Sequence, residues 1–125
     1  VTHDLSLHQS SHPPTILVVE DNAVVRLIAV EFLEDSGFKV VEAGSADGAI
    51  DLLTTNGPID AVFSDVQMPG TMDGIGLARW ISREMPDIKV LLTSGNVSRQ
   101  TGVSILPKPY DLEAVARQLK GMMPN

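Results

Sequence analysis

The chain has no cysteine, one tryptophan, one tyrosine, and nine basic side chains against sixteen acidic ones among its 125 residues. Without cysteine there are no disulfide staples and no thiolate metal sites, which fits a reducing, cytoplasmic setting. The few basic residues form no patch, and a net charge of −7 argues against a nucleic-acid surface. No apolar run approaches the roughly 18–20 residues of a membrane span, and no basic-plus-apolar leader resembles a signal peptide. Direct contact with nucleic acid or membrane is therefore not expected. An apolar content of 43% over this length is enough for one domain with a packed core.

Residues 1–14 are polar, carry His3, His8 and His12, and end in Pro13-Pro14. They read as a flexible leader, and the histidines lack a scaffold that would make them a metal site. From Thr15 onward, short apolar runs alternate with amphipathic stretches, the pattern of βα units around a parallel sheet. Gly74, Leu77, Ala78, Ile81 and Met85 form one helical stripe; Ala46, Ala49, Ile50 and Leu53 form a second, and Leu112, Val115, Ala116 and Leu119 a third. Ser45 and Asp111 stand where N-caps belong, and Gly37, Gly57 and Gly121 where helices should stop. The stretch from about Asn22 to Ser36 is apolar on most sides and is expected to be the most buried helix. The runs ending at Glu20, Asp65 and Ser94 suit central strands covered on both faces. The partly polar Phe38–Glu42 and the short Ser104–Leu106 suit the two edges.

Polar residues interrupt these apolar runs at telling places. Ile16–Val19 ends in Glu20-Asp21, Ala61–Ser64 in Asp65, Val90–Thr93 in Ser94, and Ile105–Pro107 in Lys108. In an open α/β sheet, ligands bind beyond the carboxyl ends of the strands. An acid pair can simply favour a helix N-terminus, and an Asp, Ser or Lys in a loop means little alone. All of them at strand ends, in this order, would bring three carboxylates, a hydroxyl and an amine to one rim. Mg²⁺ takes oxygen ligands, usually one or two carboxylates plus water and phosphate oxygens. Glu20, Asp21 and Asp65 supply such ligands, and the main-chain carbonyl of Gln67 could add another. A carboxylate can attack phosphorus to give an acyl phosphate, with Lys108 and Ser94 meeting phosphoryl oxygens.

The acid pair in VVEDN, the aspartate in FSDVQMPG, the hydroxyl in LLTSG and the lysine in LPKPY together resemble the receiver domain of two-component response regulators. The match runs from about Thr15 to Met122, so residues 15–123 are expected to be the receiver. Its wording is closest to receivers of hybrid histidine kinases or small stand-alone ones. The resemblance implies a flavodoxin-like, doubly wound α/β fold, with five parallel strands in the order 2-1-3-4-5 and helices on both faces. It implies Asp65 as phospho-acceptor, Glu20 and Asp21 as magnesium acids (Mn²⁺ able to substitute), Ser94 as switch hydroxyl and Lys108 as phosphate-binding lysine. It further implies a cis bond before Pro109. The donor would be a phosphohistidine on a sensor histidine kinase or phosphotransfer protein, and output would pass to another polypeptide. Gln67 and Asn96 flank the expected water path and would tune the lifetime of the acyl phosphate.

Two departures from the family pattern stand out. Only 14 positions separate Ser94 from Lys108, so the family's fourth helix should shrink to a turn around Val97–Thr101. Ile105 occupies the switch position where the family often has Tyr or Phe, so no aromatic ring can swing there. The turn Gly70–Gly74 is expected to be a mobile rim loop, and Trp80 to be partly exposed. Competing readings are a receiver-like module that binds partners without phosphorylation, an FMN binder, and an aspartyl phosphohydrolase. The FMN reading lacks a phosphate-cradling loop after the first strand. The phosphohydrolase reading lacks a second acid where Gln67 stands.

Overall fold

The computed structural model describes residues 12–95 and 102–123. Five strands, β1 (Thr15–Val19), β2 (Lys39–Ala43), β3 (Ala61–Asp65), β4 (Lys89–Ser94) and β5 (Ser104–Pro107), form one sheet in the order β2-β1-β3-β4-β5. All four pairings are parallel. Four helices are described: α1 (Ala23–Asp35), α2 (Ala46–Thr55), α3 (Gly74–Glu84) and α4 (Leu112–Met122). This is the flavodoxin-like architecture expected, with β2 and β5 at the edges. The turn expected at Val97–Thr101, and Asn96 before it, lie outside the described residues. Among the described residues no helix is long and apolar enough to cross a membrane.

Strand alternation divides the core between the two faces. Ile16, Val18, Ala61, Phe63 and Leu91 meet α1 and α4 through Ala29, Leu33, Val115 and Leu119. Leu17, Val19 and Val62 point the other way, to Ala49 and Leu53 of α2 and Leu77 and Ile81 of α3. A smaller cluster of Val66, Ile75, Ala78 and Leu92 continues this second face toward β5, with Val103 and Ile105 packed against it. Leu17, Leu91 and Leu92 are fully buried, each stabilising the fold by roughly 1.5–3 kcal/mol through apolar burial. Trp80 is half-buried against the second face.

Side-chain caps start every helix. Asn22 accepts from the N–H groups of Val24 and Val25, Ser45 from Gly48, Asp73 from Gly76 and Asp111 from Ala114, each satisfying otherwise orphaned donors. At the other ends two glycine stops hold and one does not. Gly37 follows α1 with φ 105°, a left-handed value that suits glycine, and Gly57 follows the cap residue of α2. Gly121, however, lies inside α4, which continues to Met122.

The expectation for α1 is overturned. Only Ala29, Val30 and Leu33 are buried in it, while Val24, Val25, Leu27 and Ile28 are 66, 42, 52 and 53% exposed. A single-layer helix has one face toward the sheet, so apolar residues around its whole circumference must leave some outside. Val24, Leu27 and Ile28 fall at i, i+3 and i+4 and make an outer apolar stripe next to the strand-end rim.

Candidate functional site

The rim is built where four neighbouring strands end. Asp65 is the last residue of β3 and Ser94 the last of β4; Glu20 directly follows β1 and Lys108 directly follows β5. In-register parallel pairing sets Asp65 beside Thr93 and Ser94 beside Pro107. The main-chain N–H of Lys108 donates to the Ser94 carbonyl at 3.0 Å, extending that pairing by one residue. The Lys108–Pro109 bond is cis.

Asp65 is the focus of the contacts. Lys108 Nζ lies 2.8 Å from its Oδ2, and the N–H of Gln67 donates to its Oδ1 at 3.1 Å. The Asp65 side chain is 10% exposed and that of Lys108 39%, so the carboxylate is recessed and the amine reaches it from the surface. Glu20 is half-buried and Asp21 exposed. Burial pushes the Glu20 pKa above its ordinary value; the hydrogen bond from Asn22 opposes this, and the nearby carboxylates of Asp21 and Asp65 add to the rise. For Lys108, burial acts to lower the pKa, but the hydrogen bond and charge of Asp65, with Glu20 behind them, outweigh it and raise the value. Burial also raises the Tyr110 pKa, against the opposing charge of Lys108. The Tyr110 ring packs edge-on against Phe63, with centroids 6.0 Å apart.

The donor set fits a hard divalent cation. Mutual repulsion among Glu20, Asp21 and Asp65 is what such an ion would relieve. No three carboxylate or imidazole side chains among the described residues form a ready cage.

The remaining expected residues are placed as follows. Ser94 is buried, Gln67 is exposed beside Asp65, and Ile105 is half-buried against the cluster around Val66 and Leu92. The Gly70–Gly74 turn is tied at its far end rather than free. The Gly74 N–H donates to the Val66 carbonyl at 2.8 Å, Asp73 caps α3, and Met72 packs against the second core face. Gly74 sits so close to the Asp65–Val66 main chain that a Cβ there would overlap it. Asn22 and Arg26 support the site without having been singled out from the sequence, and the close approach of Gly74 was not foreseen either. The visible signal for Arg26 was a lone basic residue in an otherwise apolar and acidic helix.

Comparison with known proteins agrees with this geometry. Residues 16–117 match the family model described as the response regulator receiver domain. The chain is 36% identical over 118 residues to the sensor kinase CckA of Brucella abortus (strain 2308), covering 87% of this chain and 12% of that protein. It is 32% identical over 119 residues to the response regulator MprA of Mycobacterium sp. (strain KMS), covering 89% of this chain and 51% of that protein. The chain thus spans about half or less of the length of these relatives. The crystal structure of the receiver domain of the hybrid histidine kinase CckA superposes with a TM-score of 0.74 at 35% identity, covering 88% of this chain and 99% of that one.

Proposed function

The chain belongs to the response regulator receiver family, the phosphoryl-accepting signalling module of two-component systems, and from that premise we propose that Asp65 is its acceptor, with Lys108, Ser94, Glu20 and Asp21 serving the transfer. Residues 15–123 make up the receiver in this reading. The observation that carries it is the 2.8 Å approach of Lys108 Nζ to Asp65 Oδ2 beside two further acids, on a rim built from four strand ends.

The transfer is a displacement at phosphorus. An Asp65 carboxylate oxygen attacks the phosphoryl group of a phosphohistidine, forming a P–O bond as the P–N bond breaks. The departing electron pair stays on the imidazole nitrogen, which takes up a proton. Little covalent help is needed from elsewhere, so positioning and charge neutralisation dominate. Lys108 supplies a cation to one phosphoryl oxygen, and the Ser94 hydroxyl is a donor for another. Glu20, Asp21, Asp65 and the Gln67 carbonyl would hold Mg²⁺ (or Mn²⁺), which when bound neutralises developing negative charge. Water attack on phosphorus later returns the free carboxylate and inorganic phosphate. Gln67 and Asn96 tune that step in this reading.

The donor is a sensor histidine kinase or a phosphotransfer protein, in a cytoplasmic setting. The outer stripe of α1 supports a protein donor, because Val24, Leu27 and Ile28 are exposed apolar side chains on the helix that starts directly after the acid pair and its cap Asn22. Output goes to a protein target. With isoleucine at position 105 it runs through repacking of the cluster around Val66 and Leu92, one residue from the acceptor, rather than through a rotating ring.

Incubation with a small phosphodonor and Mg²⁺, followed by intact mass measurement, tests the reading. The wild type should gain one phosphoryl group and Asp65→Ala none. No gain in the wild type would favour a module that binds partners without phosphorylation, although no member of the acceptor set is missing from this chain.

A further inference from the structure

The β1–α1 turn that carries the acid pair is held in an unusual way. The Glu20 N–H donates to the Ala43 carbonyl of β2 at 3.1 Å. Its carbonyl accepts a 2.6 Å hydrogen bond from Arg26 Nη1 of α1, and Arg26 Nε is bound in turn to Glu42 Oε1 of β2 at 2.9 Å. The guanidinium lies over the turn after β2, within 3.4 Å of where a Cβ on Gly44 would be. One planar fork thus joins the end of β1, the end of β2 and the first turn of α1. The Arg26 side chain is 22% exposed and Glu42 51%.

A further support within the turn is the Asn22 N–H, which donates to Glu20 Oε2 at 2.9 Å. That oxygen belongs to a carboxylate assigned above to the cation. Drawing it toward a cation weakens the turn's own support, unless the main chain is fixed by something else. Arg26 provides that fixing. Because it grips the carbonyl rather than the carboxylate, it holds the turn without competing for a ligand oxygen. A charge-assisted donor in a fork geometry suits this task, and a lysine cannot reach two acceptors in the same way.

We infer that Arg26 is a positioning residue for the acid pair: together with Glu42 it clamps the Glu20 carbonyl, so that Glu20 and Asp21 meet a divalent cation in an already fixed turn. The inference rests on the cation-binding reading of the site. It predicts that losing Arg26 weakens cation binding more than it slows the chemistry once cation is saturating.

The test is calorimetric titration of the whole chain with Mg²⁺, paired with phosphorylation rate against Mg²⁺ concentration using a small phosphodonor. Arg26→Ala should raise the Mg²⁺ dissociation constant about tenfold or more, the usual scale for outer partners of metal ligands. Arg26→Lys and Glu42→Gln should fall between it and the wild type. The Mg²⁺ concentration at half-maximal rate should rise by the same factor, with a much smaller fall in the plateau. Because Glu42 acts through Arg26, the double variant Arg26→Ala/Glu42→Ala should bind no more weakly than Arg26→Ala alone. Should Arg26→Ala not fold, Arg26→Lys and the surface change Glu42→Gln carry the test. Unchanged Mg²⁺ affinity in the variants, or a lost plateau with unchanged affinity, overturns the inference. Absence of Mg²⁺ binding by the wild type would instead overturn the functional reading beneath it.

Discussion

Gly74→Ala should damage the protein through a single methyl group. A Cβ at this position would lie 2.8 Å from Val66 Cα and 3.0 Å from the Asp65 carbonyl carbon, and closer still to the Asp65 oxygen. Ordinary contact begins near 3.4 Å, so the first turn of α3 or the end of β3 must yield by about 0.6 Å against Val66 Cα alone. Both are backbone, and the Gly74 N–H is bound to the Val66 carbonyl, so no flexible side chain absorbs the overlap. Forcing a methyl into such a place costs about 1–3 kcal/mol, against at most ~1 kcal/mol gained by alanine over glycine in a helix. The net loss of about 1–2 kcal/mol should lower the thermal midpoint by roughly 3–8 °C. Because the displaced atoms belong to Asp65, the proposed acceptor, phosphorylation by a small donor should slow roughly tenfold, since a 1 Å misplacement costs about a hundredfold. Gly76→Ala is the matched control: its Cβ would meet Met72 Cγ at 2.8 Å, part of a flexible side chain rather than backbone. Circular dichroism melts and mass-detected phosphorylation of both variants decide the matter. Equal midpoints and rates for Gly74→Ala and the wild type would refute the close-approach reasoning.

Three further outcomes follow from the same geometry. The raised pKa of Glu20, due first to burial, means the folded state holds that proton more tightly than the unfolded chain. Its stabilising contribution is therefore complete below the ordinary value of 4.5 and is lost as pH rises through the folded value. Melts without metal should show this loss, and Mg²⁺ at a hundred times its dissociation constant should add about 2.7 kcal/mol at pH 7, an increment that fades as Glu20 is protonated. Lys108→Ala removes the cationic partner of a recessed carboxylate and should sharply slow phosphorylation by a small donor; a normal rate would contradict the assignment. Ile28→Asp places a charge in the outer stripe of α1 and should cut phosphotransfer from a cognate donor protein at least tenfold, while the rate from a small donor stays within twofold of wild type.

The strand-end acids, the hydroxyl and the lysine were legible because each interrupts an apolar run, and a parallel sheet turns all such interruptions toward one rim. The stripes of α2, α3 and α4 were legible for the related reason that an amphipathic period names the buried face. Helix α1 was misjudged because Val24, Val25, Leu27 and Ile28 surround it with apolar groups: composition then says nothing about which side faces the sheet. Gly121 was read as a stop, but glycine near a helix end is decided by its backbone angles, which the sequence does not display. Arg26, and the close approach of Gly74 to Asp65, escaped notice because both roles lie in main-chain contacts to Glu20 and Asp65, and such contacts leave no periodic trace.

The position of β5 has one more consequence. It is a four-residue border strand with no buried side chain, joined to the sheet through β4 alone, and it carries the lysine that completes the rim. Fraying of a sheet border demands far less free energy than global unfolding. A brief detachment of this strand would withdraw the ammonium from Asp65, the proposed acceptor, while the rest of the domain stays intact. Under the proposed function, the attachment of one short ribbon would then help set the fraction of molecules ready to react.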